Sequence, residues 1–239
     1  MGTLYIVATP IGNLQDISLR AIELIKNAEF IACEDTRRTG ILLKYINDNF
    51  NPGVIPNHPT LLSYYEENEF KRIPQIITVL KNGKDVLLIS DAGTPTISDP
   101  GFKLVRECVG LGIKIESIPG ASSVISSLVI SSLPTDKFLF LGYLPEKQGN
   151  KKKLLNNLKS VLKEINTTVI LFESPYKILR NLEAINEIFG NIQIIICREL
   201  TKIHEEVRRE RVEEAIIHFQ KTTPKGEFVI LFNLGAQSS

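Results

Sequence analysis

The chain has few of the residues that indicate a disulfide scaffold, a metal site or a base-stacking surface. Its 239 residues include no tryptophan, three cysteines and three histidines, and the last two types are scattered along the chain. Widely separated cysteines give neither a disulfide framework nor the spacing of a zinc site, so we expect no metal. No apolar run approaches the roughly 20 residues that span a bilayer, and the first residues lack a secretory pattern. We therefore expect a cytoplasmic protein that makes no membrane contact.

The chain also lacks an excess of either charge. Its 28 basic residues nearly cancel its 27 acidic residues and leave a net charge of +1. A basic field over the whole molecule is therefore excluded, and any contact with nucleic acid must come from a local patch. With 43% hydrophobic residues, the chain can bury an ordinary globular core.

Short apolar runs rich in β-branched residues alternate with amphipathic segments along the chain. Several runs are apolar at consecutive positions, which is typical of strands that are covered on both faces. The alternation predicts two α/β domains with a cleft between them, an N-terminal one at 1–133 and a C-terminal one at 134–239. The predicted strands are 4–7, 30–33, 86–89, 113–118, 138–141, 168–172, 192–197 and 228–232, and the predicted helices are 19–27, 36–46, 66–82, 101–112, 121–132, 151–164, 176–189 and 212–220.

Three loops rich in small residues follow predicted strands of the first domain. They are residues 8–14 (ATPIGNL), 90–101 (SDAGTPTISDPG) and 118–123 (IPGASS). Ligands of open α/β sheets bind at the carboxyl ends of strands, and small residues let a ligand approach the backbone. None of the loops has the pattern of a phosphate-binding motif, so a carboxylate-bearing cofactor fits better than a triphosphate. Each loop alone is more often a simple tight turn, whereas three in one domain favour a pocket.

Six motifs, taken in order, resemble the tetrapyrrole methylase superfamily. They are residues 4–14 (LYIVATPIGNL), 33–37 (CEDTR), 90–95 (SDAGTP), 172–175 (FESP), 197–202 (CRELTK) and 226–228 (GEF). Within the superfamily they are most similar to the branch that methylates ribosomal RNA of the small subunit. One departure is the first loop, ATPIG at 8–12, where many members have Gly-x-Gly-Pro-Gly, and this disfavours the porphyrin-modifying branch.

This resemblance implies a methyltransferase with the α/β fold of that superfamily and with S-adenosylmethionine bound between its two domains. It further implies a homodimer, and a target that is the ribose 2′-hydroxyl of a cytidine in 16S rRNA, either free or in the 30S subunit. Position by position, it also implies which residues contact the cofactor. These are Pro10, Ile11, Gly12, Asp91, Ala92, Gly93, Ser122 and Ser123 towards the N-terminus, and Phe172, Leu200 and Gly226 towards the C-terminus.

Two charged loops are candidates for catalysis, because a ribose hydroxyl is a weak nucleophile and benefits from a base or a polarising group. In residues 34–38 (EDTRR), Asp35 is a candidate base, and Arg37 is a candidate for polarising the hydroxyl or binding phosphate. In residues 198–202 (RELTK), Glu199 and Lys202 are the corresponding candidates. The alternative is that these charges form salt bridges, or that the residue before a helix caps it. The base therefore stays unassigned.

Positive charge is clustered in places that could face RNA. The arginines at 208, 209 and 211 lie among the glutamates at 205, 206 and 210, which predicts a salt-bridged surface. With few aromatic residues and no tryptophan, we expect contacts to RNA phosphates and shape instead of base stacking. The lysines at 147–153 have no acidic residue among them, so we predict an RNA-binding set of Lys147, Lys151, Lys152 and Lys153, together with Arg37 and Arg38.

Two other functions stay open at this point. A methylase of the same fold could act on a small molecule or a protein, such as a corrin precursor or a diphthamide intermediate, although the charged residues at 34–37 and the lysines favour RNA. A non-catalytic protein that binds RNA or the ribosome could use the same fold structurally. Such a protein need not bind the cofactor at all.

Overall fold

A computed structural model describes residues 1–50 and 59–236 of the chain. The chain divides into two compact units, Met1–Ser122 and a second one that begins at Ser123. Both units combine a sheet with helices, which confirms the predicted α/β class. Within the described ranges, no helix is long and apolar enough to cross a bilayer.

The first unit is a parallel five-stranded sheet with helices on both faces. Its strand order is β3-β2-β4-β1-β5, so β1 lies between β4 and β5, and β4 also pairs with β2. The strands are β1 (Leu4–Val7), β2 (Phe30–Cys33), β3 (Thr60–Ser63), β4 (Val86–Ile89) and β5 (Ile115–Ile118), and the helices are α1 (Leu19–Asn27), α2 (Thr36–Asn49), α3 (Glu69–Lys81) and α4 (Phe102–Gly110).

The central strand β4 shows why its residues are apolar at every position. Leu87 and Ile89 belong to the core on one face of the sheet, whereas Val86 and Leu88 belong to the core on the other. Because both faces are covered, a polar residue at any of these positions would lose its hydrogen bonds to water. All parallel strands end at one edge of the sheet, and that edge carries the loops of interest.

The second unit is a mixed sheet of order β6-β7-β10-β8-β9. Only β6 and β7 run parallel, and the remaining neighbours are antiparallel. Its main apolar core lies between one sheet face and three helices, α6, α7 and α8. The strands are β6 (Phe138–Tyr143), β7 (Thr168–Glu173), β8 (Gln193–Arg198), β9 (Glu206–Arg211) and β10 (Phe228–Phe232), and the helices are α5 (Ser123–Ile130), α6 (Gln148–Glu164), α7 (Ile178–Phe189) and α8 (Val212–Lys221).

The division between the units lies one helix before the predicted boundary at 133 and 134. Helix α5 contacts β10 and is grouped with the second unit, which therefore starts at Ser123. The sequence prediction placed this helix in the first domain because a polar, proline-containing segment follows it. A linker-like sequence after a helix does not reveal which sheet the helix packs against.

Candidate functional site

The three small-residue loops meet at the carboxyl edge of the first sheet. Each lies at the end of one of three neighbouring strands: residues 8–14 follow β1, residues 90–101 follow β4, and residues 118–123 begin at the last residue of β5. Thr9 and Gly93 exchange two backbone hydrogen bonds, with N···O distances of 2.9 and 3.1 Å. The first two loops are therefore joined directly.

Glycines bring the loops closer than other residues would allow. A Cβ placed on Gly120 would lie 3.0 Å from the Cβ of Ala8, which is tighter than ordinary van der Waals contact. Gly93 has a φ of +82°, and a Cβ there would lie 3.3 Å from Cγ2 of Ile11 and 3.8 Å from the carbonyl oxygen of Ala121. The glycines at this edge thus let the loops pack closely, and a cofactor can approach the exposed backbone at Gly12 and Gly120.

The structure brings together the predicted cofactor residues of the first unit. Pro10 and Ile11 are buried, Gly12 is exposed, and all three lie in the loop after β1. The other predicted positions lie in the loops after β4 and β5, namely Asp91, Ala92, Gly93 and Ser122, whereas Ser123 is the first residue of α5. Contact between these residues and a cofactor stays a prediction.

The predicted cofactor residues of the second unit also share one edge of their sheet. Phe172 is the penultimate residue of strand β7. Its ring centroid is 4.8 Å from that of Phe140 and 5.7 Å from that of Tyr143. Leu200 follows β8 and Gly226 precedes β10. The register aligns Phe228 with both Glu173 and Arg198, so these strand ends are neighbours.

Asp35 caps helix α2 and binds an arginine. Its carboxylate accepts a hydrogen bond of 2.8 Å from the Arg37 amide and binds the Arg37 guanidinium, with an Nη2···Oδ2 distance of 2.6 Å. The hydrogen bonds from Arg37 lower the pKa of Asp35 to about 2. A carboxylate with such a low pKa is a weak base, so the observed contacts favour the capping alternative for Asp35.

Asp91 links the loop after β4 to the loop after β2. Its Oδ1 accepts a hydrogen bond of 3.0 Å from the backbone amide of Asp35, and its Oδ2 lies 3.5 Å from Nε of Arg38. Burial raises the pKa of Asp91, and the Asp35 hydrogen bond opposes this effect. The predicted cofactor residue Asp91 and the predicted RNA residue Arg38 are therefore in contact.

Glu34 is the carboxylate at this edge that the sequence motif contained but that we did not single out. It is half-buried, directly after β2, and within the described residues no hydrogen bond or ion pair engages its carboxylate. Burial raises the pKa of Glu34, and the negative charge of Asp91 raises it further. The sequence places Glu34 beside Asp35, but it does not show which of the two carboxylates becomes paired.

Glu199 and Lys202 form an ion-pair cluster inside the second unit. Lys202 Nζ lies 3.0 Å from Oε1 of Glu199 and 2.9 Å from Oε2 of Glu227. Burial acts to raise the pKa of Glu199, but the hydrogen bond from the Glu227 amide and the Lys202 ammonium outweigh it and lower that pKa. As for Asp35, these contacts favour the salt-bridge alternative over a role as base.

The predicted RNA-binding lysines have different environments. Lys147, Lys152 and Lys153 are exposed, although Lys152 Nζ lies 2.6 Å from Oε1 of Glu187. Lys151 is only 1% exposed, and its ammonium donates a hydrogen bond to Oδ1 of Asn181. The prediction that Lys151 belongs to an RNA-facing surface is therefore wrong. A run of lysines in the sequence does not show which of them lies on the buried side of α6.

The predicted salt-bridged surface at 208–211 is confirmed for Arg208, whereas the guanidinium groups of Arg209 and Arg211 donate hydrogen bonds to the backbone carbonyls of Ile130 and Asn191. Arg208 binds Glu210 with an Nε···Oε1 distance of 2.6 Å, and it also binds Glu206. Arg198 reaches the same glutamate from the neighbouring strand β8. Glu206, Arg208 and Glu210 alternate along one face of the edge strand β9, and their ion pairs neutralise the charge of Arg208.

Comparison with known proteins agrees with this arrangement. Residues 3–216 match the family described as Tetrapyrrole (Corrin/Porphyrin) Methylases. A Thermotoga maritima protein named Ribosomal RNA small subunit methyltransferase I is 44% identical, over 98% of this chain and 99% of its own length. A protein of the same name from a Hydrogenobaculum species is 46% identical, over 96% of this chain and 95% of its own length.

Solved structures with low sequence identity share the fold. A cobalt precorrin-4 methyltransferase of cobalamin biosynthesis superimposes with a TM-score of 0.68 at 15% identity, covering 96% of this chain and 94% of its own. A Thermus thermophilus uroporphyrin-III C-methyltransferase, solved in complex with S-adenosyl homocysteine, gives a TM-score of 0.62 at 17% identity and covers 96% and 97%. The chain belongs to the tetrapyrrole methylase family and, within it, to the ribosomal RNA small subunit methyltransferase I group.

Proposed function

We propose that this chain is an S-adenosylmethionine-dependent methyltransferase that modifies the ribose 2′-hydroxyl of a cytidine in 16S rRNA. One observation carries the proposal. Three loops made largely of small residues adjoin at one sheet edge, in a chain similar over nearly its full length to proteins named for small-subunit rRNA methylation. The cytidine and the 2′-oxygen come from the family resemblance and need a direct test.

The residues at this edge fit S-adenosylmethionine. Gly12 and Gly120 are exposed and carry no side chain, so a ligand can approach their backbone, and Asp91 adds a negative charge that suits a cationic donor. When bound, the donor supplies an electrophilic methyl group. The proposed contacts are Pro10, Ile11, Gly12, Asp91, Ala92, Gly93 and Ser122 in the first unit, and Ser123, Phe172, Leu200 and Gly226 in the second.

The protein's own contribution to such a transfer is alignment and proton removal. Alignment of the hydroxyl oxygen with the methyl carbon is a proximity effect that needs no covalent intermediate. Among the carboxylates of the two charged loops, Glu34 is the best base in this structure, because Asp35 and Glu199 are held by Arg37 and Lys202. Asp35 and Glu199 stay candidates of lower basicity.

Exposed basic groups supply the proposed RNA contacts. The Arg37 side chain is 88% exposed even while it binds Asp35, and Arg38 is 59% exposed beside Asp91. We propose that both bind rRNA phosphates near the methyl donor. Lys147, Lys152 and Lys153 at the start of α6 are the proposed contacts of the second unit. Lys202 is proposed to polarise the target hydroxyl or to bind phosphate.

We also propose that the protein works as a cytoplasmic homodimer on 16S rRNA or on the 30S subunit. The dimer and the substrate form are those that the family resemblance implies. Light scattering on the purified protein tests the dimer, because the chain mass is 26.8 kDa and a dimer would give twice that value. A mass equal to one chain at micromolar concentration would reject it.

The proposed reaction can be tested with labelled methyl donor. Purified protein is incubated with tritiated S-adenosylmethionine and 30S subunits from cells that lack the corresponding gene, and free 16S rRNA, a corrin precursor and a diphthamide intermediate serve as competing acceptors. We expect label only in 16S rRNA. Label in either of the last two acceptors would support the small-molecule or protein methylases, and absence of cofactor heat in calorimetry would support a non-catalytic RNA-binding protein.

A further inference from the structure

A buried carboxylate contacts the far end of the loop at 90–101. Glu69 is the first residue of α3 and only 4% exposed. Its Oε1 accepts hydrogen bonds from the Tyr64 hydroxyl at 2.7 Å and from the Gly101 backbone amide at 3.1 Å. Its Oε2 lies 2.7 Å from the Lys103 ammonium. Three donors thus converge on one side chain: Tyr64 directly after β3, Gly101 at the end of the loop, and Lys103 in α4.

The loop that Glu69 contacts has an unfavourable backbone conformation. Thr96 and Ser98 have φ values of 74° and 61°, in the left-handed region that non-glycine residues rarely adopt. Gly101 has a φ of +135°, and a Cβ there would lie 2.8 Å from side-chain carbons of both Leu88 and Thr96. Such a loop keeps its shape only when surrounding contacts hold it in place.

The two ends of the loop are held by different contacts. At the start, Gly93 is joined to Thr9 by the paired backbone hydrogen bonds, and Asp91 accepts from the Asp35 amide. At the end, the Gly101 amide is bound by Glu69. Burial acts to raise the pKa of Glu69, but the hydrogen bonds from Lys103, Tyr64 and Gly101 outweigh it, so the carboxylate stays ionised. An ionised carboxylate is a stronger acceptor than a neutral one.

We propose that Glu69 is a positioning residue for methyl-donor binding. It holds the loop at 90–101 in place, so that Asp91 to Gly93 near the start of the loop keep the backbone conformation that binds the donor. Glu69 does this through the Gly101 amide, with Tyr64 and Lys103 fixing its carboxylate. The inference rests on the proposed function, because it assumes that this loop binds the donor. The competing interpretation is an ordinary buried ion pair that stabilises the whole unit.

The affinity for the methyl donor and the local rate of amide hydrogen exchange distinguish these two interpretations. Glu69→Gln keeps the size of the side chain but removes its charge, and Glu29→Gln is the matched control, because Glu29 binds Lys84 and is 51% exposed. For Glu69→Gln we expect binding of S-adenosylhomocysteine to weaken about tenfold, because a neutral amide oxygen is a weaker acceptor for the Gly101 amide than a carboxylate. Amide exchange should accelerate in residues 90–101 and not in α1, and affinity for 30S subunits should not change. Glu29→Gln should match the wild type in all three measurements.

Each result decides between the proposals. If the wild-type protein does not bind S-adenosylhomocysteine, the proposed function fails. If the wild type binds it and Glu69→Gln binds it equally well, or if exchange accelerates throughout the first unit, the positioning role is overturned. Should Glu69→Gln not fold, Tyr64→Phe removes a single donor to the same carboxylate. It should weaken binding by a smaller factor and accelerate exchange at 90–101, and wild-type behaviour in both would overturn the inference.

Discussion

Glu34 and Asp35 are neighbours in the chain, yet their carboxylates lie in opposite electrostatic environments. The hydrogen bonds from Arg37 lower the pKa of Asp35 to about 2. Burial and the charge of Asp91 raise the pKa of Glu34. A general base is most effective when its pKa is close to the working pH, so the two residues should differ in catalytic effect.

The variant Glu34→Gln should be catalytically poor but able to bind the donor. We expect its methyl-transfer rate at saturating donor and 30S subunits to fall by about 100-fold or more, the usual effect of losing a general base. Binding of S-adenosylhomocysteine should be unchanged. Glu67→Gln is the control, since Glu67 is an exposed carboxylate whose charge also influences Glu34. A wild-type rate for Glu34→Gln would remove Glu34 from the mechanism.

The same residue should set the acid limb of the pH–rate profile. A base must be unprotonated to act, so the wild-type rate should decrease as the pH falls through the pKa of Glu34. Because that pKa is raised, the limb should lie above the ordinary range of an exposed glutamate. The limb should disappear in the residual activity of Glu34→Gln, and an unchanged limb would assign it to another group.

Lys151 shows what a charge run does not reveal about single residues. Glu173, Asn181 and Lys151 are all buried, and the Asn181 amide lies between the two charges: it donates to Glu173 and accepts from Lys151. The sequence shows three consecutive lysines, and only the packing of α6 decides which of them turns inward. The neighbours Lys152 and Lys153 stay exposed, as predicted.

Replacing Lys151 should therefore affect stability more than RNA binding. Lys151→Met leaves the Asn181 carbonyl oxygen without its donor and Glu173 without a nearby positive charge, so we expect a loss of about 2 kcal/mol or more in the free energy of unfolding. Urea denaturation measures this loss. The control Lys153→Met should leave stability unchanged and should reduce the salt dependence of 30S binding. Equal stability of the two variants would contradict the buried network.

At the scale of elements, the turn before β10 requires a glycine for steric reasons. Gly226 has a φ of +95°, and a Cβ there would lie 2.6 Å from Cγ of Glu199, whose carboxylate binds Lys202. Gly226→Ala should therefore lower the free energy of unfolding by about 1–3 kcal/mol and disturb that ion pair. Thermal or urea denaturation measures the effect.

Gly40 is the matched control for this glycine. It lies inside α2, and a Cβ added there meets nothing within 4 Å. Gly40→Ala should stabilise the protein by about 0.5–1 kcal/mol, because alanine loses less backbone entropy than glycine in a helix. If both variants shifted stability in the same direction, the steric account of Gly226 would be wrong.

Most elements could be predicted from apolar runs, whereas two edge strands, β3 and β9, were missed. Strand β4 is apolar at all four positions and was predicted with its observed bounds. Strand β9 was missed, because it is an edge strand whose residues are mainly charged. Arg208 pairs with Glu206 and Glu210 along the strand, and the apolar alternation that indicates a strand is absent.

At the scale of the whole molecule, motifs predicted the family better than local patterns predicted the architecture. The ordered motifs led to the tetrapyrrole methylase family, and the family match over residues 3–216 confirms it. The assignment of α5 to the second unit depends on its packing against β10, which lies about a hundred residues further along the chain. Local sequence carries no signal of such a distant contact.

The same limit applies to the candidate site. The loops at 8–14, 90–101 and 118–123 were predictable, because small residues after strands indicate close backbone approach. Which charged groups pair was not predictable, because pairing depends on distances between loops: Asp91 meets the Asp35 amide across 56 positions of sequence. The sequence therefore identified the edge of the sheet. Among the residues that the structure describes, Asp35 and Asp91 have bound partners, whereas the Glu34 carboxylate has no hydrogen bond or ion pair.

The most direct test of the account is the chemical position of the transferred methyl group. Purified protein and labelled S-adenosylmethionine are incubated with 30S subunits that lack the modification, and the 16S rRNA is digested and analysed by nucleoside mass spectrometry. The account predicts label in 2′-O-methylcytidine at one position of 16S rRNA, and at least about 100-fold slower labelling with Glu34→Gln under the same conditions. Label on a base, on a ribosomal protein or on no component of the subunit would contradict it.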